Sequence, residues 1–203
     1  MTITQVRERP ILFSAPMVKA ILDGRKTQTR RVMKVQPDLT TGEWRMAWDT
    51  WQKYMGYPMG HDLPLSPWGT YGDRMWVRET WAVGRHHGAT KPSELHDDVQ
   101  VWYRAGGKTY PVPDDEWQRG KWRPSIYMPR WASRITLEMT KAIRVQRIQE
   151  ITDDDILAEG GHCTGAGAWE WFIPLWDKLN AKRGYGWDAN PFVWVVEFKR
   201  IES

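Results

Sequence analysis

The sequence predicts one α+β domain in which short strands and capped helices share a single core, interrupted by two surface insertions at about 36–67 and 84–121. Three observations predict it. The 203 residues are ample for one hydrophobic core and cramped for two. Alternating strand patterns recur from residue 9 to residue 201, separated by helical segments with recognisable caps. Between them lie two long stretches without sustained periodicity.

Residues 9–13 (RPILF) form a short strand, after which Ser14 can cap a helix that accepts Pro16 in its first turn. Val18, Ile21 and Leu22 give that helix one apolar face, and Asp23-Gly24 ends it because glycine can take the left-handed conformation. GRKTQTRR and Val32 follow as a basic strand leaving the glycine turn. The segment 36–67, rich in Trp, Met, Gly and Pro, suits an ordered but irregular lid. Residues 68–81 open with a Tyr-Gly-Asp turn and continue as a strand, with Met75, Val77 and Glu79 on one face and Trp76, Arg78 and Thr80 on the other. In the second insertion only 99–104 carries a strand pattern, and the segment is expected at the surface. Residues 133–139 and 142–148 alternate as two strands or one bent strand. Thr152 with Asp155 forms a capping box, and Gly160-Gly161 stops that helix just after Glu159. Residues 168–182 are helical with an interruption at Pro174, and 192–201 (FVWVVEFKRI) is the clearest strand of all.

Composition narrows the setting. A single cysteine, Cys163, excludes an intramolecular disulfide, and no run reaches the roughly 20 apolar residues of a spanning helix. The N-terminal MTITQVRERP lacks a secretory apolar core, so a cytoplasmic protein is expected, with no membrane partner. Net charge is +4, but the bias is local: Arg7, Arg9, Lys19, Arg25, Lys26, Arg30, Arg31 and Lys34 stand against Glu8 and Asp23 before residue 37. That concentration suits a polyanionic partner. The fifteen tryptophans are expected mainly in the core and at its rim.

The motifs Gly24-x-Lys26-x-x-Thr29-x-Arg31, Gly72-Asp73, Ile151-Thr152 through Glu159, and the closing Val-Glu-Phe-Lys together resemble the ASCH family. The resemblance implies a PUA-like mixed, partly open β-barrel with peripheral helices. Locally the chain is similar to small bacterial N4-acetylcytidine amidohydrolases, and ERPILFSAPMVKAILDGRKTQTRR resembles ASCH proteins of bacteriophages and prophages. On that likeness Thr29 would be the nucleophile, Lys26 its activating base and Glu159 the group that orients or shuttles a proton. Gly24, Arg25, Arg30, Arg31, Arg78 and Glu79 would contact the substrate, a modified nucleoside or RNA. No cofactor is implied.

Elementary chemistry sets conditions on this scheme. A threonine hydroxyl needs an adjacent base, and a lysine serves only when its amine is substantially neutral. Neighbouring arginines and burial depress the Lys26 pKa, whereas a close Glu159 raises it. On an ideal strand Lys26 and Thr29 point to opposite faces, so a turn or bulge must bring them together. Arg78 and Glu79 also read as an ordinary cross-strand ion pair. His86, His87, His96, His162 and Cys163 lack any established metal spacing, so no metal site is expected. Two other functions stay open: a non-catalytic RNA-binding module in which Lys26, Arg30 and Arg31 hold phosphates while Trp or Tyr residues of the insertions stack bases, and a ribonuclease using Lys26 and Glu159 as acid and base. Oligomeric state is not legible in these motifs.

Overall fold

The computed structural model describes residues 6–34, 36, 66–106 and 118–201. The lid expected within 36–67 falls almost wholly outside the described residues, as does 107–117 of the second insertion.

The fold is mixed α+β. Its elements are β1 (Glu8–Leu12), α1 (Ala15–Leu22), β2 (Gln28–Val32), β3 (Arg74–Arg78), β4 (Trp81–Val83), β5 (Val101–Tyr103), β6 (Thr136–Met139), β7 (Arg144–Arg147), α2 (Asp153–Ala158), α3 (Ala166–Asn180) and β8 (Phe192–Ile201). Six strands make the main sheet, in the order β1-β3-β6-β8-β2, with β7 also on β8. Among the described residues only β1 and β3 pair in parallel. β6 and β7 follow one another along the same edge of β8. Met139 faces Phe198 and Arg144 faces Val195, so two extra residues enter this edge and bend it. The 133–148 segment therefore holds two strands, β6 and β7, joined through a bend at residues 140–143. β1 and β2 do not pair, and the curled sheet is a partly open barrel at that seam, which the Arg31 guanidinium crosses to donate to Leu12 O at 2.6 Å.

The length of β8 organises the core. Trp194, Val196 and Phe198 enter the barrel with Ile11, Phe13, Met33, Met75 and Leu137. Val193 and Val195 point the other way, under α2 and α3, against Ile156, Phe172 and Trp176. Both faces are covered, which is why the strand reads as an almost unbroken apolar run. Each such buried side chain contributes about 1.5–3 kcal/mol relative to exposure.

Local chemistry sets the helices. In α1 Ser14 has the extended cap backbone but makes no side-chain cap bond; Val18 and Ile21 are buried, and Gly24 ends the turn at φ +73°. In α2 the Thr152 hydroxyl accepts from Asp155 N at 3.2 Å while the Asp155 carboxylate accepts from Thr152 N at 3.1 Å. The interruption expected at Pro174 does not occur, since α3 runs through it. Pro174 and Glu170 are both exposed, so water can satisfy the Glu170 carbonyl that loses its helical donor.

The second insertion is not wholly at the surface, because Leu95, Val99, Val101 and Tyr103 of it share a separate core with flanking residues. β4 pairs with β5, and Trp81, Val83, Leu95, Val101, Tyr103 and Met128 are buried together. β4 was not legible as a strand apart from β3.

Candidate functional site at Lys26 and Glu159

Lys26 lies between the α1 turn and β2, in a single antiparallel bridge to Glu159. The turn is tight: Arg25 N and Lys26 N both donate to Ala20 O, at 2.9 and 3.0 Å. Beyond it, alternation places Gln28, Arg30 and Val32 on the face toward α2, and Thr29, Arg31 and Met33 on the barrel face with Val196 and Trp194.

The α2 face holds a charge cluster. Asp155 and Glu159 lie four residues apart, one helical turn and about 6 Å of rise, which matches the roughly 6.8 Å between alternate residues of a strand. Lys26 Nζ donates to Glu159 Oε2 at 2.7 Å and to Glu159 O at 2.8 Å. Arg30 Nη1 donates to Glu159 Oε1 at 3.3 Å, and Arg30 Nη2 stands 2.8 Å from Asp155 Oδ2. Gln28 Nε2 donates to Asp155 Oδ1 at 3.0 Å. Lys26 is 3% exposed and Glu159 6%, so this is an ion pair inside the protein, not a solvated contact.

Electrostatics follows from that burial. Desolvation pulls the Lys26 amine below its ordinary value; Glu159 opposes this, and Arg31 and Arg30 reinforce it. Desolvation also lowers Arg31, again against Glu159. Asp155 is raised by burial, but Gln28, Arg30 and Thr152 together outweigh that and hold it below the usual aspartate value. Arg30 Nε and Arg31 Nε are buried without a hydrogen-bond partner among the described residues. The cluster therefore has cationic donors in surplus.

The seam between β1 and β2 brings the two faces together. Lys26 Nζ lies 5.7 Å and Arg31 Cζ 5.0 Å from the centroid of the Phe13 ring. Thr29 is buried and leaves β2 on the Arg31 face. Lys26, Arg30 and Glu159 thus meet directly, whereas Thr29 leaves β2 on the face opposite Arg30.

The remaining expected substrate contacts are engaged elsewhere. Gly24 shapes the turn. Arg25 is exposed, pairs with Asp23 at 3.1 Å and donates to Gly160 O at 2.9 Å, tying the turn to the end of α2. Arg78 leaves the outer face of β3, donates to Ile126 O and lies over the Trp76 ring. Glu79 is fully buried in a two-point pair with Arg134, at 2.9 and 3.1 Å. The partners that the motifs left unnamed are Gln28, Asp155 and Phe13. A Lys26-Gln28-Arg30 alternation facing an i,i+4 acidic pair was the available signal for the first two. Two cavities of about 770 and 730 Å3 lie on the β4–β5 unit instead. Buried opposite charge, not volume, marks the Lys26 group as the reactive candidate.

No protein-family model matches the chain, and no curated protein does. Among solved structures, an ASCH domain from Lactobacillus crispatus aligns at 12% identity over 96% of this chain and 79% of that one, with a TM-score of 0.41. A DUF984 protein from Enterococcus faecalis aligns at 8% identity over 99% and 79%, with a TM-score of 0.43. No helix among the described residues is long and apolar enough to cross a membrane.

Proposed function

We propose that this chain is an ASCH-type protein that binds a nucleoside or RNA and hydrolyses N4-acylated cytidine or a related modified nucleoside. The observation that carries the reading is the buried Lys26–Glu159 pair, with its amine depressed by burial, at the head of the strand that bears Thr29. A neutral Lys26 amine takes the Thr29 hydroxyl proton as the oxygen attacks the acyl carbonyl carbon. The bond to the exocyclic nitrogen then breaks, and the nitrogen leaves with the proton returned from Lys26. Water hydrolyses the Thr29 ester, releasing the carboxylic acid. Arg31, or the turn amides after Gly24, would hold the developing oxyanion, and Glu159 orients the amine. A phage-borne protein acting in a bacterial cytoplasm is the setting that accompanies this reading.

The test is mass-spectrometric product analysis of the protein and its Lys26→Ala and Thr29→Ala variants with N4-acetylcytidine and a panel of acylated nucleosides. Cytidine release that both variants abolish is the expected result. Intact substrate throughout would sink the deacylase.

One observation favours binding without catalysis: both Glu159 oxygens that Lys26 reaches accept from its amine, and such bonds hold the ammonium form. On that reading Lys26, Arg30 and Arg31 bind phosphates, and affinity falls steeply with added salt. Shortened RNA products would instead identify a ribonuclease.

A further inference from the structure

Residues 119–123 run beside β4 as an irregular third strand of the small sheet. Gly120 N donates to Val83 O at 2.8 Å, Arg123 N to Trp81 O at 2.7 Å, and Arg85 N to Gln118 O at 2.9 Å. Position 120 has to be glycine, because a Cβ there would stand 2.8 Å from Val83 O. This close approach sets Arg119, Lys121 and Trp122 around a concave groove of about 730 Å3. Arg85 completes its cationic wall, the small residues Gly88, Ala89 and Gly120 complete its lining, and among the described residues no carboxylate lines it.

The groove is prepared for a flat, anionic ligand. The guanidiniums of Arg104 and Arg119 lie over the Trp122 indole, 5.3 and 4.2 Å from its centroid. Stacking fixes the plane of a guanidinium while leaving its N–H edge to reach a phosphate, so less freedom is lost on binding. Among the described residues none of Arg104, Arg119 and Lys121 is in an ion pair. Gly88 and Gly120 let a ligand backbone come close. Arg85 also borders the neighbouring cavity of about 770 Å3, which Glu94, His96, Asp98 and Trp102 line, so the cationic ground ends at Arg85 and the carboxylates lie beyond it.

We propose that this groove is a second, separate docking site for the backbone of a single-stranded polynucleotide, with Trp122 and its stacked arginines as the platform. Cations tracking phosphates beside an aromatic platform are the two parts that sequence-tolerant single-strand binding requires. An acidic peptide would use the cations but not the indole.

The experiment is fluorescence anisotropy of the full chain with a labelled oligouridylate of about twelve nucleotides, within the usual single-strand site size. Reversing two contacts with Arg119→Glu and Lys121→Glu is expected to lower affinity at least tenfold and to flatten the log–log salt slope by about 1.4. Trp122→Ala is expected to lose about tenfold, and Trp122→Phe to retain most of the binding. Lys121→Glu alone, on an exposed side chain, gives the charge test if the double variant unfolds early. Unchanged affinity in the charge variants overturns the proposal. So does displacement by polyglutamate as effective as by unlabelled oligonucleotide, together with indifference to Trp122→Ala. Anisotropy does not depend on nucleoside deacylation, so failure of either site leaves the other measurable.

Discussion

Lys26 carries its amine into a place where water cannot solvate it, and it stays there because three oxygen or ring partners converge on it: the Glu159 carboxylate, the Glu159 carbonyl and the Phe13 face. A pair buried this deeply contributes little net stability, but breaking it from one side leaves an uncompensated charge. Glu159→Gln strips the carboxylate from Lys26 and Arg30 together, and is expected to cost about 3–5 kcal/mol in urea unfolding. A loss under about 1 kcal/mol would mean that Lys26 swings out to water instead. Asp155 gives the pH test. Its folded value is depressed, so its contribution is fully present above the unfolded value near 3.8 and is lost as pH falls through the folded value. Below about pH 4 the parent protein should therefore lose stability more steeply than Asp155→Asn. Parallel acid limbs would show that Gln28 and Arg30 do not hold that carboxylate in solution.

At the scale of elements, the turns decide where charges meet. Gly160 follows α2 with φ +103°, and a Cβ there would lie 3.1 Å from the Ala20 Cβ and 3.4 Å from the Lys26 Cβ. Gly160→Ala should cost about 1–3 kcal/mol from backbone strain and, by pushing on Lys26, weaken any nucleoside binding in calorimetry. Full-strength binding with lowered stability would separate the turn from the site. The elements that sequence made legible are those whose own residues carry the signal: the Asp23-Gly24 stop, the Thr152–Asp155 box and the β8 run were all readable locally. What was not legible depends on partners far along the chain. Pro174 looked like a break because its exposure, which makes it tolerable, is a property of packing. Glu79 offered Arg78 as its neighbour, yet adjacent strand residues diverge, and its true partner Arg134 is 55 residues away. Lys26 and Glu159 were named through family resemblance, whereas the alternation and the i,i+4 acidic pair that carry Gln28 and Asp155 gain meaning once α2 lies across β2.

Across the whole molecule, Glu79 and Arg134 join two cores. Glu79 follows β3 of the barrel, Arg134 precedes β6, and the Arg134 guanidinium lies 4.0 Å from the centroid of Tyr103 on β5. Burial pushes the Glu79 carboxyl up, Arg134 pulls it back, and the same burial pushes Tyr103 up to about 12. The two partners are unequal, because the Glu79 side chain is 1% exposed and the Arg134 side chain 23%. Without Glu79, Arg134 can turn to water; without Arg134, Glu79 is stranded. Arg134→Ala should therefore cost about 3–5 kcal/mol at neutral pH, and Glu79→Gln less. Its deficit should also depend on pH in a defined direction. A carboxyl whose folded value is raised further loses stability as pH climbs above the unfolded value of 4.5, so the Arg134→Ala deficit shrinks toward pH 4.5 and grows toward neutrality. Urea titrations at the two pH values, followed by tryptophan fluorescence, measure this. A deficit independent of pH would assign the cost to lost packing over Tyr103, and the junction would then be apolar in effect although ionic in appearance.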